Sequence, residues 1–558
     1  MFNSSTEARN TFPDYIDLLH YRKTHQPDQT AFIFLKDGET EDGIFTYQAL
    51  DRRARQIALR LRERVHAGER ALLLYPSGLD FIAAFFGCLY AGVIAVPVYP
   101  PHPARPERTL PRLTAVAVDS EARFALTTAS RLPQFHRTFS TVPELAPLEW
   151  ITTDNIADEP AADWRKPSLT PEDIAFLQYT SGSTGDPKGV MVSHSNLIRN
   201  EEGIHRAYGV EPQDICVGWL PLYHDMGLIG NVLQSMYSGI PYIFMSPMAF
   251  LQRPVRWLEA ISRYRATSTG GPNFAYDLCT RRVSAGQKAL LDLSCWKIAF
   301  NGSEPISADT LNRFTESFAE CGFRRETFFP CYGLAEATLM VSGSGKTDPP
   351  TQVAVEADAL ARHQVVLLSA HAIRTRDILA ARLVGCGKSL PGQRIAVVHP
   401  KTHVPLNPGE IGEIWTAGPH IAQGYWGKPV LSEKTFRARP VSESGSSSDA
   451  WLRTGDLGFL WNKELFVTGR IKDLIIIRGR NHYPQDIEKT VETAHPLIRP
   501  ESCAAFSVAV DGEERVAVIT EVERRYPGRG KRYESRRRYT ELPEHVPGAD
   551  RPFKPEEV

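Results

Sequence analysis

The stretch "YTSGSTGDPKGVMVSH", Tyr179 to His194, decides how the rest of the chain is read. It sets three glycines, the small hydroxyl residues Thr180, Ser181, Ser183 and Thr184, and Lys188 between two apolar runs, "DIAFLQY" and "GVMV". Glycines let backbone approach a ligand closely, and successive N–H groups in such a turn make a concave anion site. The hydroxyls add donors and Lys188 adds a point charge, so the stretch suits a polyphosphate. An ordinary Gly/Ser hairpin loop is the plainer alternative. A Walker-type loop ends in Gly-Lys-Ser/Thr, whereas Pro187, Lys188 and Gly189 stand at those places here. The β-branched "VMV" predicts a second strand, with Ser193 or Ser195 capping a helix after it. The expectation is a strand–loop–strand phosphate grip.

Strand-like and helical segments alternate on either side: "RALLLY", "LDFIAAFFGCLY", "VIAVPVY" and "ARFALTT" before it, "DICVGWLPLY", "IPYIFM" and "KIAFNG" after it. This predicts an α/β fold with largely parallel sheets flanked by helices. One uncharged run, "FIAAFFGCLYAGVIAVPVY" (Phe81 to Tyr99), is nominally long enough to cross a bilayer. Gly87, Gly92 and Pro97 break it. It reads as a buried helix to about Tyr90, a glycine turn and a central strand, with no membrane span.

With 558 residues the chain is too long for one core. A large domain over 1–471 precedes an apparently incomplete small α+β domain over 472–525: the strand "LIIIRG", the helix "PQDIEKTVETAH" and the hairpin "AAFSVAVDGEERVAVITEVE". A polar tail, 526–558, reads as flexible. Two further stretches read as loops, an insertion at about 341–382 and the Ser-rich Ser442–Ala450.

Hydrophobic residues at 42% and charged ones at 23% are those of an ordinary globular protein, and a net charge of −1 offers no field for nucleic acid. The eight cysteines lack a C-x-x-C pair or metal-like spacing, and no signal peptide opens the chain. They read as reduced thiols in a cytoplasmic protein.

Further motifs supply chemistry. "FFPCYGLAEAT" presents Tyr332 and Glu336 together, an aromatic beside a carboxylate, suited to a nucleotide and a Mg²⁺ ion held by few carboxylates. "WLRTGDLG" puts Asp456 where it can accept from ribose hydroxyls, and "VTGRIKD" adds the Arg470 fork. "WLPLYHDMGLIG" places His224 beside an apolar turn. Singly, each has an ordinary reading: Asp456 as a turn cap, Glu336 as a solvated helix residue, His224 as a satisfied core histidine.

Taken in order, "YTSGSTGDPKGVMVSH", "LPLYHDMG", "FNGSEPI", "YGLAEAT", "WLRTGDLG" and "GRIKDLIIIRGRNHYPQDIE" resemble the adenylate-forming superfamily of acyl- and aryl-CoA synthetases, adenylation domains and luciferases. The resemblance runs from about Tyr47 to Glu523. It implies that Thr180, Ser181, Gly182, Ser183, Thr184, Gly185 and Lys188 hold the ATP phosphates. It further implies that Gly302, Ser303, Glu304 and Pro305 lie against adenine and that Tyr332 and Gly333 pack on the base. Thr338 would help to close the phosphate site and Glu336 would bind Mg²⁺, while Asp456 and Arg470 hold ribose and Lys472 is the hinge. Lys188, Glu336 and His224 are the implied catalytic residues.

Within that superfamily, "FFGCLYAGVIAVPVYPP", "GGPNFAYDLC" and the long connection from Glu336 to Gly387 are most similar to fatty-acyl-AMP ligases. The implied activity is ATP-dependent formation of fatty-acyl-AMP and pyrophosphate. The implied acceptor is the phosphopantetheine thiol of an acyl carrier protein in polyketide or lipopeptide synthesis. A fatty-acyl-CoA ligase and a non-catalytic acyl-adenylate-binding homologue are the alternatives. The insertion, in this reading, packs on the large domain through residues such as Val366, Leu367 and Leu368. The family's Pro-Lys-…-Ser-Gly-Lys stretch does not follow Glu523, which implies an incomplete chain that adenylates poorly.

Overall fold

The structure, a computed structural model, describes residues 12–101, 106–157, 161–180, 187–369, 371, 380–441, 450–477, 480–495, 497–510, 513–522 and 540–541. The expected loop at 442–449 and, apart from Thr540 and Glu541, the expected tail at 526–558 lie outside the described residues. By contacts the chain forms two compact units. The first comprises Met1–Pro350, Cys386–Ile395 and Trp415–Thr454, and the second Thr351–Gly385, Ala396–Ile414 and Gly455–Val558.

The first unit holds two sheets. The larger runs Lys388–Ser389, Met340–Gly343, Phe328–Gly333, Ile298–Asn301, Ser268–Gly271, Cys216–Gly218, Tyr242–Met245, Thr30–Leu35, Glu41–Thr46. From Phe328–Gly333 to Thr30–Leu35 its strands are parallel, and only the edges are antiparallel. The smaller sheet runs Glu149–Thr152, Phe124–Thr127, Arg70–Leu73, Ile94–Pro97, Ile174–Thr180, Lys188–Ser193, with only the last pair antiparallel. The central strands are buried along their whole length, as "IAVP" and "FALT" are here, which is why parallel strands read as continuous apolar runs. The expected α/β class holds.

The run Phe81–Tyr99 resolves as the glycines dictate. Helix Leu79–Ala91 ends on Gly92 at φ 75°, whose N–H reaches the carbonyls of Cys88 and Leu89. Strand Ile94–Pro97 follows, between Arg70–Leu73 and Ile174–Thr180. No helix among the described residues is long and apolar enough to cross a membrane. Helix Leu79–Ala91 is buried from Phe81 onward because it packs on helix Tyr47–Arg62. Gly87 permits the approach, since a Cβ there would sit 2.4 Å from Ile57 Cγ2.

Strands in both units correct the expectation of a loop over 341–382, of which 370 and 372–379 lie outside the described residues. Val341–Gly343 lies in strand Met340–Gly343, and Gln352–Glu356 pairs antiparallel with Ala380–Val384, helix Ala357–Leu360 following the first strand. Alternating Val353 and Val355 give that hairpin an apolar face. Val355 and Leu360 are buried with Ile411, Leu457, Phe459, Phe466 and Tyr483. Of the expected docking residues Val366, Leu367 and Leu368, the first two are exposed at 43% and 38% and the third is half-buried, while Val365 packs on this core. Beyond Lys472, Ile475–Ile477 pairs with Arg480–His482, helix Pro484–Ala494 follows, and Ile498–Val510 pairs with Glu513–Val522. Ile475, Ile487, Val491, Ile498 and Ala505 form their core.

The Gly87 contact generates a stability prediction. Gly87→Val forces a branched side chain into Ile57, and overpacking of this kind costs about 1–3 kcal/mol. Chemical denaturation should show a lowered midpoint; an unchanged midpoint would mean that the two helices do not meet at Gly87.

Candidate active site

Strands Ile174–Thr180 and Lys188–Ser193 pair antiparallel with Thr180 opposite Lys188. The two expected strands are therefore present and paired. Ser181, Gly182, Ser183, Thr184 and Gly185, which the sequence reading places on the phosphates, lie outside the described residues. Ser193 caps helix His194–Tyr208: its side chain accepts from Asn196 N, and the Asn196 side chain returns the bond. This is the reciprocal capping arrangement that turns the strand sharply into the helix. Next to the Thr180–Lys188 pair, Tyr179 donates to Asp119 at 2.8 Å, and Lys428 pairs with the other oxygen of Asp119.

Glu336 sits on the 3-10 turn Ala335–Ala337, just past strand Phe328–Gly333. Its backbone is tightly specified. Thr338 adopts φ 66° and ψ −62°, and Leu339 N bonds to Ala337 O at 2.8 Å, a γ-turn of the rare left-handed kind. Such a conformation costs on the order of 1–3 kcal/mol for a non-glycine residue. Thr338 is held there by complete burial and by its hydroxyl, which donates to His420 O at 2.7 Å. Gly333 has no alternative, because a Cβ would fall 1.8 Å from Leu339 O.

Lys188 and Glu336, far apart in sequence, meet on one side chain. Tyr425 donates its hydroxyl to Glu336 Oε1 at 2.8 Å, and its ring centroid lies 5.4 Å from Lys188 Nζ. Burial and the neighbouring carboxylate push the Tyr425 hydroxyl far above the usual phenol range, so it remains a donor. Tyr425 was missed in the sequence reading. Its signal was an aromatic pair between glycines in "AQGYWGKP", which has no helical or strand period to mark it.

The remaining first-unit residues line the carboxyl ends of the parallel strands, where open α/β sheets take ligands. Gly302 leaves strand Ile298–Asn301 so close to the neighbouring strand that a Cβ would meet Cys331 O at 2.8 Å. Ser303 follows at φ 72°, and Ser303, Glu304 and Pro305 are exposed. Glu304 accepts from Phe274 N at 2.7 Å, which fixes the loop. Tyr332 is buried on the adjacent strand. His224 caps the turn Asp225–Gly227, 2.7 Å from Asp225 Oδ1, and that carboxylate raises its imidazole above the usual 6.5. Gln178 donates to Tyr223 O at 3.1 Å, so this turn is tied to the strand that ends at Thr180.

Asp456 and Arg470 belong to the second unit, where they face each other across a hairpin. Arg470 Nε donates to Asp456 Oδ1 at 3.0 Å. The aspartate is 7% exposed, and the arginine is largely open to solvent. Lys472 follows in an exposed turn.

Comparison with known proteins converges on one family. The AMP-binding enzyme profile matches residues 19–426, and that of the Disco-interacting protein 2-like AMP domain matches residues 472–527. The medium-chain-fatty-acid–[acyl-carrier-protein] ligase JamA of Moorena producens is 47% identical over 520 residues, 93% of this chain and 87% of JamA. TtuA of Teredinibacter turnerae, a ligase of the same description, is 35% identical over 93% of this chain and 86% of its own. The crystal structure of the fatty acyl-adenylate ligase from L. pneumophila in complex with acyl adenylate and pyrophosphate superposes with a TM-score of 0.78 at 40% identity. That match covers 92% of this chain and 87% of the other. With a family profile spanning most of its length and a relative at 47% identity, the chain belongs to the AMP-binding enzymes.

Proposed function

We propose that this protein is a fatty-acyl-AMP ligase that delivers its product to the phosphopantetheine thiol of an acyl carrier protein. The observation that carries the reading is the meeting of Lys188 and Glu336 on Tyr425, beside a Gly/Ser/Thr-rich stretch. A cation for phosphate and a carboxylate for a metal stand at one site. Identity to JamA and TtuA supports the fatty-acid and carrier assignments.

A fatty acid carboxylate oxygen attacks the α-phosphorus of ATP, the bond to the β-bridging oxygen breaks, and pyrophosphate leaves. The acyl carrier thiolate then attacks the acyl carbonyl carbon and AMP departs. The protein contributes positioning and charge neutralisation. Lys188 and the 180–185 stretch grip the β- and γ-phosphates, Gly302–Pro305 and Tyr332–Gly333 hold adenine, and Asp456 with Arg470 holds ribose. The Asp225-paired His224 stands at the acyl carboxylate.

Glu336 fits Mg²⁺. The ion takes hard oxygen donors and is usually bound by one or two carboxylates plus substrate phosphates, and among the described residues no cluster of three or more His, Cys, Asp or Glu offers a dedicated cage. Bound there, Mg²⁺ would offset charge on the departing pyrophosphate. Eight unpaired thiols support a cytoplasmic setting. The second profile opens at Lys472, the residue that the resemblance makes the hinge of the small domain.

Acyl class is tested by titrating sulfamoyl-adenosine analogues of acyl adenylates. Fatty-acyl analogues should bind far more tightly than aryl or aminoacyl ones, and in the presence of ATP and fatty acid, mass spectrometry should detect acyl-AMP; preference for an aryl or aminoacyl analogue would overturn the assignment. Lys188→Ala should slow acyl-AMP formation roughly 10²–10³-fold, the effect of losing one preorganised donor. It should leave binding of the fatty-acyl analogue, which lacks β- and γ-phosphates, nearly intact. Asp456→Ala should instead weaken that analogue about tenfold or more, since a charge-assisted hydrogen bond is worth about 1.5–3 kcal/mol. Wild-type affinity in this variant would remove Asp456 from the ribose site.

A further inference from the structure

The segment Ala422–Lys428 runs antiparallel beside strand Lys188–Ser193, bridged at Val190 and Tyr425. Gln423 N bonds to Met191 O at 3.0 Å, Met191 N to Gly424 O at 2.9 Å, and Trp426 N to Gly189 O at 2.8 Å. The same segment grips the Glu336 turn through Ala422 N, which donates to Glu336 O at 3.0 Å. Its far end reaches Asp119 through Lys428, and Asp119 holds Tyr179.

Tyr425 lies at the centre of this strap. Its backbone N donates to Ser432 Oγ at 2.8 Å, and its ring meets Phe436 edge-on at 5.0 Å, both on helix Pro429–Phe436. Gly424, at φ 139°, lets the strap pass Ser432, where a Cβ would come within 2.8 Å of the hydroxyl. The tyrosine is 5% exposed and fixed at both backbone and ring, so it serves as a rigid reference for what touches it.

We infer that Tyr425 is a positioning residue of the ATP site: its hydroxyl aims the Glu336 carboxylate and its ring seats the Lys188 ammonium. The metal-carrying and phosphate-gripping side chains thereby keep one spacing. The inference rests on the roles given above to Lys188 and Glu336. Partners behind a metal ligand commonly change metal affinity 10–100-fold when removed, and a cation over an aromatic face gains from the ring quadrupole.

The test uses the full chain with Mn²⁺ and the non-hydrolysable analogue α,β-methylene-ATP. Mn²⁺ retention is read by electron paramagnetic resonance, nucleotide affinity by calorimetry with and without metal, and fold by melting temperature. Tyr425→Phe, which keeps the ring, should weaken Mn²⁺ retention about tenfold. It should leave metal-free nucleotide affinity and the fatty-acyl sulfamoyl-adenosine affinity within about twofold. Tyr425→Ala should weaken metal-free nucleotide binding as well, because Lys188 loses its seat. If Tyr425→Phe retains Mn²⁺ like wild type while Glu336→Gln does not, the positioning role is wrong and the Glu336 reading stands. If Glu336→Gln and Lys188→Ala also behave as wild type, the reading beneath it falls too. Equal loss for every ligand together with a lowered melting temperature would make Tyr425 a structural residue only.

Discussion

The pairing of Thr180 with Lys188 fixes the backbone on which the proposed phosphate grip of the first unit depends. A side chain with four rotatable bonds is a poor tool for gripping a phosphate unless its backbone is fixed. Here the lysine stands on the edge strand of a sheet whose other strands are parallel and whose inner strands are largely buried. The strap at 422–428 covers that edge, which both satisfies its backbone groups and supplies the tyrosine that Lys188 and Glu336 share. An exposed strand edge is ordinarily a liability. In this protein its cover also builds the site.

The Glu336 side shows the same logic in another form. A carboxylate on a free loop would sample many positions, whereas this one follows a strand end and precedes a strained γ-turn at Thr338. The strain persists because several independent bonds over-determine it: Thr338 to His420 O, Leu334 N to Leu339 O, and Ala422 N to Glu336 O. Strain of this kind collects at functional sites because only there does a fixed geometry repay its cost.

Much of this was legible in the sequence, for identifiable reasons. Gly92, in a left-handed cap, and Pro97, at the end of the strand, act through local backbone sterics and divide the apparent membrane run into helix, turn and strand, whereas Gly87 lies inside the helix and serves its packing on Ile57. Ser193 announced the helix start. The apolar runs on either side of the hydroxyl- and glycine-rich stretch announced the paired strands Ile174–Thr180 and Lys188–Ser193, while Ser181–Gly185, and with them most of the proposed phosphate grip, lie outside the described residues. Tyr425 was not legible, because its importance comes from two partners at great sequence distance. Nor was the Thr338 turn, since a threonine carries no local preference for positive φ. The insertion packs, as its apolar content suggested, but through Val353, Val355, Leu360 and Val365, whereas Val366 and Leu367, which look like a docking patch when counted as apolar residues, are exposed.

The central claim is that Lys188 and Glu336, registered by one tyrosine, receive a metal-bound triphosphate. A crystal structure with α,β-methylene-ATP and Mg²⁺ tests it most directly. The account predicts Lys188 Nζ within hydrogen-bonding reach of a β- or γ-phosphate oxygen, and the metal on Glu336 with Tyr425 still bonded to that carboxylate. A triphosphate bound away from Lys188, or a metal held by groups other than Glu336, would contradict it.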